Sequence, residues 1–328
     1  MGHRPIALLA FALCCASFAA AAQDAGRVYH LGYLWVGASD GRPSHWIGAA
    51  RDDLRERGFV EGRNLVIEVR DGKGQAARLP EEAKQPVALK VDAIFTQGTA
   101  PTLAAKAATQ GIPVVFGSAE DPVGKGIVAS LARPGGNVTG FALVLGRNKA
   151  FGILKELIPD LHRIGIVYDP SNIPAAYLPI FIATQAKDAE AVGATLVARP
   201  AKDANNLDAA FAAMMGQKVD AVPVNNDASL LNVRGQLASI ALHSDLPGAC
   251  LQREFADAGC LFSYGESTHE HYRRAATQVA KIWQSAKPGE LPVEQATKFE
   301  PVINLKTAKA LGVTVPPVLL DTADEVVE

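Results

Sequence analysis

The chain has 328 residues, with 32 basic against 34 acidic side chains, 48% hydrophobic residues and 20% charged ones. This slightly acidic balance argues against nucleic acid or an anionic lipid surface as the partner. A chain of this length and apolar content fills two hydrophobic cores more readily than one.

His3 and Arg4 precede an apolar run from Ile6 to Phe18, and Ala19 to Ala22 follow it with small side chains. Roughly a dozen apolar residues are too few to span a bilayer, whereas a basic start, an apolar middle and small residues at the end make a secretory signal. Residues 1–22 therefore read as a signal peptide, and the chain from Gln23 is expected to be periplasmic. Removing Arg4 leaves 31 basic against 34 acidic residues. No later run is long enough for direct membrane insertion of the mature chain. Cys14 and Cys15 leave with the signal, so Cys250 and Cys260 remain in an oxidising compartment. A disulfide and two buried free thiols are both compatible with that pair.

The mature chain repeats itself once, at an offset of roughly 130 residues. Leu31-Gly32-Tyr33-Leu34-Trp35 corresponds to Ile164-Gly165-Ile166-Val167-Tyr168, each a short apolar strand running into a polar loop. Helices follow at Trp46 to Arg57 and Leu178 to Val192, and each stops at a glycine, Gly58 or Gly193. Second strands are predicted at Asn64 to Val69 and Thr195 to Ala198. Lys90-Val91-Asp92-Ala93-Ile94 then matches Lys218-Val219-Asp220-Ala221-Val222. Each leads through a polar loop to a helix, Pro101 to Gln110 or Leu230 to Ser244, and a proline-led strand at Pro113 or Pro247. A βαβαβ pattern occurring twice predicts an α/β protein of two Rossmann-like lobes with parallel sheets and a hinge. The first lobe is expected at 27–142, completed by part of 268–300. The second is expected at 143–266, completed by part of 300–328.

In open α/β sheets, ligands sit outside the carboxyl ends of the strands. That rule selects Ser39, Thr96, Gln97, Thr99, Ser118, Glu120 and Asp121 from the first lobe. From the second it selects Asp169, Ser171, Asn172, Asn225, Asp227, the stretch Gln252 to Glu254, and Glu266. Thr96-Gln97-Gly98-Thr99 opens a helix, where hydroxyls and free backbone N–H groups suit a carboxylate, although Thr99 also fits a plain N-cap. The Asp and Asn residues suit an ammonium or hydroxyl groups, and equally serve turns. Trp35, Trp46 and Tyr264 offer aromatic faces to a ligand or to a core.

No GxGxxG, Walker or GxSxG motif is present. The histidines form no ligand set: His269 and His271 would face different sides of a helix. No catalytic residue, metal site or cofactor is expected.

Five stretches resemble the ABC-transporter substrate-binding proteins of the tryptophan/tyrosine-binding type. They are Arg57 to Glu68, Asp121-Pro122-Val123-Gly124, Ser130 to Gly140, Ser263-Tyr264-Gly265 and Phe299 to Pro317. The resemblance implies a type I periplasmic-binding-protein fold, a small-molecule ligand such as an aromatic amino acid or related carboxylate, and delivery to an ABC permease with its ATPase subunit. It also implies that the Thr96–Thr99 and Ser118 loops hold the ligand's polar end, and that the receptor works as a monomer. Two rivals share the fold pattern. One is an exported α/β hydrolase-like enzyme using Ser118 beside Glu120 and Asp121. The other is a ligand-binding sensor for a membrane signalling protein.

Overall fold

The computed structural model describes residues 26–37, 46–144, 146–201, 204–224 and 228–328. The signal-peptide reading of residues 1–22 lies outside them.

The first half builds β1 (Tyr29–Trp35), α1 (Trp46–Glu56), β2 (Leu65–Asp71), β3 (Ala93–Gln97), α2 (Thr99–Ala108), β4 (Val114–Glu120) and β5 (Val138–Leu143). With a late strand, β10 (Glu294–Gln295), these strands form a six-stranded sheet in the order β10-β5-β4-β3-β1-β2, every pair parallel. All five residues of β3 are buried, as a strand covered on both faces requires.

The second half carries α3 (Arg147–Leu157), β6 (Arg163–Tyr168), α4 (Leu178–Glu190), β7 (Thr195–Pro200), α5 (Ala204–Gly216) and α6 (Arg234–His243). It continues with β8 (Ala249–Cys250), α7 (Arg253–Asp257) and β9 (Phe262–Gly265). β6 pairs in parallel with β7, and bridges through Ala221 and Val224 connect β6 to Cys250 of β8. β8 and β9 are parallel. β11 (Glu300–Asn304) then joins β9 antiparallel, and β12 (Glu325–Val327) follows parallel to β11. The antiparallel pair departs from the all-parallel expectation for a topological reason. β9 carries the chain out of this sheet and β11 brings it back, so the two run in opposite senses.

Both halves start with the same joint. Lys90 and Lys218 take left-handed backbone angles, φ 54° and 52°, which ends the preceding helical segment. Two residues on, Asp92 accepts the His30 N–H at 2.7 Å, and Asp220 accepts the His162 and Arg163 N–H groups at 2.7 Å each. The repeated Lys-Val-Asp string thus ties the start of the first strand of each half to the segment that enters its third. The matched glycines have a shared cause too. A Cβ on Gly32 would lie 2.7 Å from Pro86, and one on Gly165 would lie 2.5 Å from the Met214 sulfur. Each lets a covering helix approach its strand closely.

α8 (Thr268–Trp283) follows β9 but packs on the first sheet. The Ser267 hydroxyl accepts the Glu270 N–H, an N-terminal cap in a Ser-x-x-Glu setting. Trp283 closes the helix against Tyr29 and Phe59, with ring centroids 4.8 and 4.9 Å away. The chain therefore passes between the two sheets three times: from β5 to α3, from β9 to α8, and from β10 to β11. These passages touch. The Val144 N–H donates to Glu266 Oε1 at 2.9 Å, and Tyr264 stacks on Phe299 at 5.2 Å with planes 7° apart. No helix among the described residues is long and apolar enough to cross a membrane.

Candidate functional site

The carboxyl ends of the strands in the two lobes face a common cleft holding about 830 Å³ of unfilled space, its solvent-open part included. β3 ends at Gln97, and Gly98, at φ 94°, turns the chain straight into α2. The turn is pinned from inside: Thr102 Oγ1 donates to the Gly98 carbonyl at 2.6 Å and lies 2.7 Å from Thr96 Oγ1. The first N–H groups of a helix have no partner within it, so the start of α2 presents donors and positive potential to the cleft. Thr99 is the first helical residue rather than the cap. Its Oγ1 accepts the Glu120 N–H at 3.3 Å, tying α2 to the end of β4. Ser118 lines the same wall, 3.2 Å from the Tyr272 hydroxyl of α8.

The opposite side is largely apolar. Tyr168, Ile173, Phe181 and Leu231 line it from the second lobe, while Trp46 of the first lobe stacks on Tyr272 at 5.9 Å. Gln252 joins them from the loop before α7, 4% exposed, with no hydrogen-bond partner for its amide oxygen among the described residues.

Charge in the cleft is concentrated at Glu120. Its carboxylate contacts Lys125 Nζ and Arg147 Nη1, each at 3.0 Å, and Arg147 also contacts Asp188 at 3.1 Å. Burial pushes the Glu120 carboxyl up, but the two cations outweigh that and hold it below the usual carboxylate range. Next to it, Asp121 adopts φ 42°. Its Oδ1 accepts the Gly124 N–H at 2.9 Å and its Oδ2 accepts the Tyr177 hydroxyl at 2.8 Å. A Cβ at Gly124 would sit 2.1 Å from Asp121 Oδ2, so any larger residue there pushes this carboxylate aside. Lys125 Nζ lies 5.0 Å from the centre of the Tyr177 ring. Burial and the bond to Asp121 both raise the Tyr177 pKa, so its proton stays in place as the donor. A further bond between the lobes runs from Asn232 Nδ2 to the Gly37 carbonyl at 2.8 Å.

The structure brings Trp46, Gln97, Thr99, Ser118 and Glu120 together around the cleft. Gln97 also accepts the Tyr33 hydroxyl. Thr96 is wholly buried behind the wall, and Trp35 packs into the core of the first lobe at 6% exposure. Asp169 caps a 3-10 turn, accepting the Ser171 N–H at 2.8 Å and the Ser171 hydroxyl at 2.6 Å. Tyr264 and Glu266 sit at the chain passages, where Glu266 Oε2 lies 2.8 Å from His271 Nε2. Ser39, Asn225 and Asp227 lie outside the described residues, as does the side chain of Asn172. Sequence reasoning missed Lys125, Arg147, Tyr177 and Tyr272. Lys125 follows directly on the Asp121–Gly124 stretch, which was the one local signal for it. Cys250 and Cys260 are joined in a disulfide.

The geometry has counterparts among known proteins. A tyrosine-binding protein of Clostridioides difficile (strain R20291) is 25% identical over 258 residues, 79% of this chain and 74% of that protein. A conserved domain protein of Vibrio cholerae superposes with a TM-score of 0.84 at 26% identity, over 92% of this chain and all of its own. The fold is also that of an ABC domain from Streptococcus pneumoniae in complex with L-Trp, with a TM-score of 0.82 at 24% identity and the same coverage. Residues 42–327 match the family described as ABC transporter substrate binding protein. By that match, which takes in every strand but β1 and all three passages between the sheets, the chain belongs to the ABC transporter substrate-binding proteins.

Proposed function

We propose that this protein is the extracytoplasmic receptor of an ABC importer, exported by residues 1–22 and acting as a monomer without catalysis. Its ligand is a small molecule with an anionic end and an apolar or aromatic body, and its partners are a permease and the ATPase subunit that drives it. The carrying observation is the cleft itself. The first lobe offers the start of α2 with Thr99 and Ser118, flanked by Trp46, and the second lobe offers Tyr168 and Phe181. A carboxylate matches the start of α2 and an aromatic ring the aromatic side chains. The lobes of this reading are residues 27–142 with part of 268–300, and 143–266 with part of 300–328. Ligand bound in the cleft favours the closed form through contacts that exist only when the lobes meet, among them Tyr177 to Asp121 and Arg147 to Glu120.

The test is a thermal-shift screen of refolded mature protein against aromatic amino acids, aromatic acids and amides, refolding being needed to remove co-purified ligand. A ligand at 100 times its Kd adds about 2.7 kcal/mol of stability. A shift confined to one chemical class supports the receptor and identifies the class. No shift, together with turnover of a model ester or amide, overturns it in favour of an enzyme.

A further inference from the structure

Resting on the receptor reading, we propose that Gln252 is a specificity-determining residue, whose amide oxygen accepts a hydrogen bond from an N–H or O–H donor on the ligand. Gln252 lies in the cleft lining at 4% exposure, and its Oε1 is buried without a hydrogen-bond partner among the described residues. Leaving a buried acceptor unpaired is costly, and because the side chain that carries it lines the binding cleft, a donor entering there can relieve it. The backbone around it is fixed. Cys250, two residues earlier, is bonded to Cys260 and pairs with Ser263 in β9. The Gln252 carbonyl accepts the Phe255 N–H at 3.2 Å. Gly265 packs against the same stretch so closely that a Cβ there would meet the Leu251 carbonyl oxygen at 1.9 Å. An amide anchored on such a frame is oriented before the ligand arrives.

The cleft then has two polar poles of opposite demand. The start of α2 takes an acceptor, such as a carboxylate, and Gln252 takes a donor. The ligand class follows: a bipolar molecule carrying an anionic group, an apolar body and a donor, rather than a simple aromatic acid. Such a site rejects an analogue lacking the donor more strongly than a purely apolar pocket rejects a missing methylene.

The experiment compares wild type, Q252L and Q252E by calorimetric titration. The probes are L-phenylalanine, L-tyrosine and L-tryptophan, with their deamino counterparts 3-phenylpropionate, 3-(4-hydroxyphenyl)propionate and indole-3-propionate. The expected result is a ~10-fold loss of affinity in Q252L for probes bearing the donor that Gln252 reads, with 3-phenylpropionate unaffected. Q252E, which keeps an acceptor, retains those probes. Melting of the ligand-free protein is expected to be unchanged or raised in Q252L, because an unpaired polar atom has been removed. Equal affinities in wild type and Q252L for every probe overturn the role of Gln252 and leave the receptor intact. A uniform loss across all six probes with a lowered ligand-free melting temperature also overturns it, because the residue is then structural. Wild type binding none of the six overturns the aromatic ligand class on which this role of Gln252 rests.

Discussion

The carboxylate of Asp121 is used at both oxygens, one holding its own loop through Gly124 and the other holding Tyr177 of the opposite lobe. Because the second bond spans the lobes, its energy counts toward closure and not toward folding of either lobe. A net hydrogen bond contributes about 0.5–1.5 kcal/mol. Tyr177→Phe is therefore expected to weaken ligand binding by ~3- to 10-fold, mainly through faster release, while the melting of the ligand-free protein stays put. Gly124→Ala should act in the same direction, since its Cβ displaces the Asp121 carboxylate. Stopped-flow release of a fluorescent ligand checks both. Unchanged release from Y177F would show that the bond carries no closing energy. Tyr177 was not legible in the sequence, because nothing local tells a tyrosine which loop it will meet 56 positions away.

At the scale of elements, the sequence was informative wherever a local rule sufficed. The Lys-Val-Asp string, the helix-ending glycines and the apolar strands all act within a few residues, so the twofold βαβαβ order could be read directly. The strand-end rule likewise picked the Thr96–Thr99 and Ser118 loops. It could not separate cleft from core: Trp35, Thr96 and Asp169 sit at the same kind of position as Gln97 and Ser118, and tertiary packing alone divides them. Tyr272 illustrates the converse. The spacing of α8 marks a buried face, but which sheet that face meets depends on a passage between lobes that leaves no local trace. The two-residue strands β8 and β10 are too short for any periodicity. For β8 the disulfide supplies what length does not, closing a loop over a sequence separation of 10 residues. Its reduction is expected to cost about 2–3 kcal/mol by the loop-entropy relation, read as a lower urea midpoint with dithiothreitol present. An unchanged midpoint would mean that β8 is held by its sheet neighbours alone.

For the whole molecule, the chain Lys125–Glu120–Arg147–Asp188 links the lobes by charge, and Glu120 is its centre. The folded carboxyl titrates below its unfolded value of about 4.3. Its contribution is thus present above that pH and is lost as pH falls through the lower folded value. The Glu254 carboxyl, pushed up by burial, has the opposite sign: its contribution is present in acid and lost as pH rises through the raised value. Comparing wild type with Glu120→Gln separates the two, because only the variant lacks the acid-labile part. Melting from pH 7 down to pH 3 should show the wild type losing more stability than E120Q below about pH 4. Parallel curves would show that the Glu120 ion pairs add no net stability.

The three passages between the sheets, held together by the Val144–Glu266 bond and the Tyr264–Phe299 stack, have a mechanical consequence. A single connecting strand would let one lobe swivel freely, and two would still let it twist. Three side by side leave one easy degree of freedom, bending about an axis across them. Opening and closing of the cleft are then confined to a single coordinate, the angle of that bend.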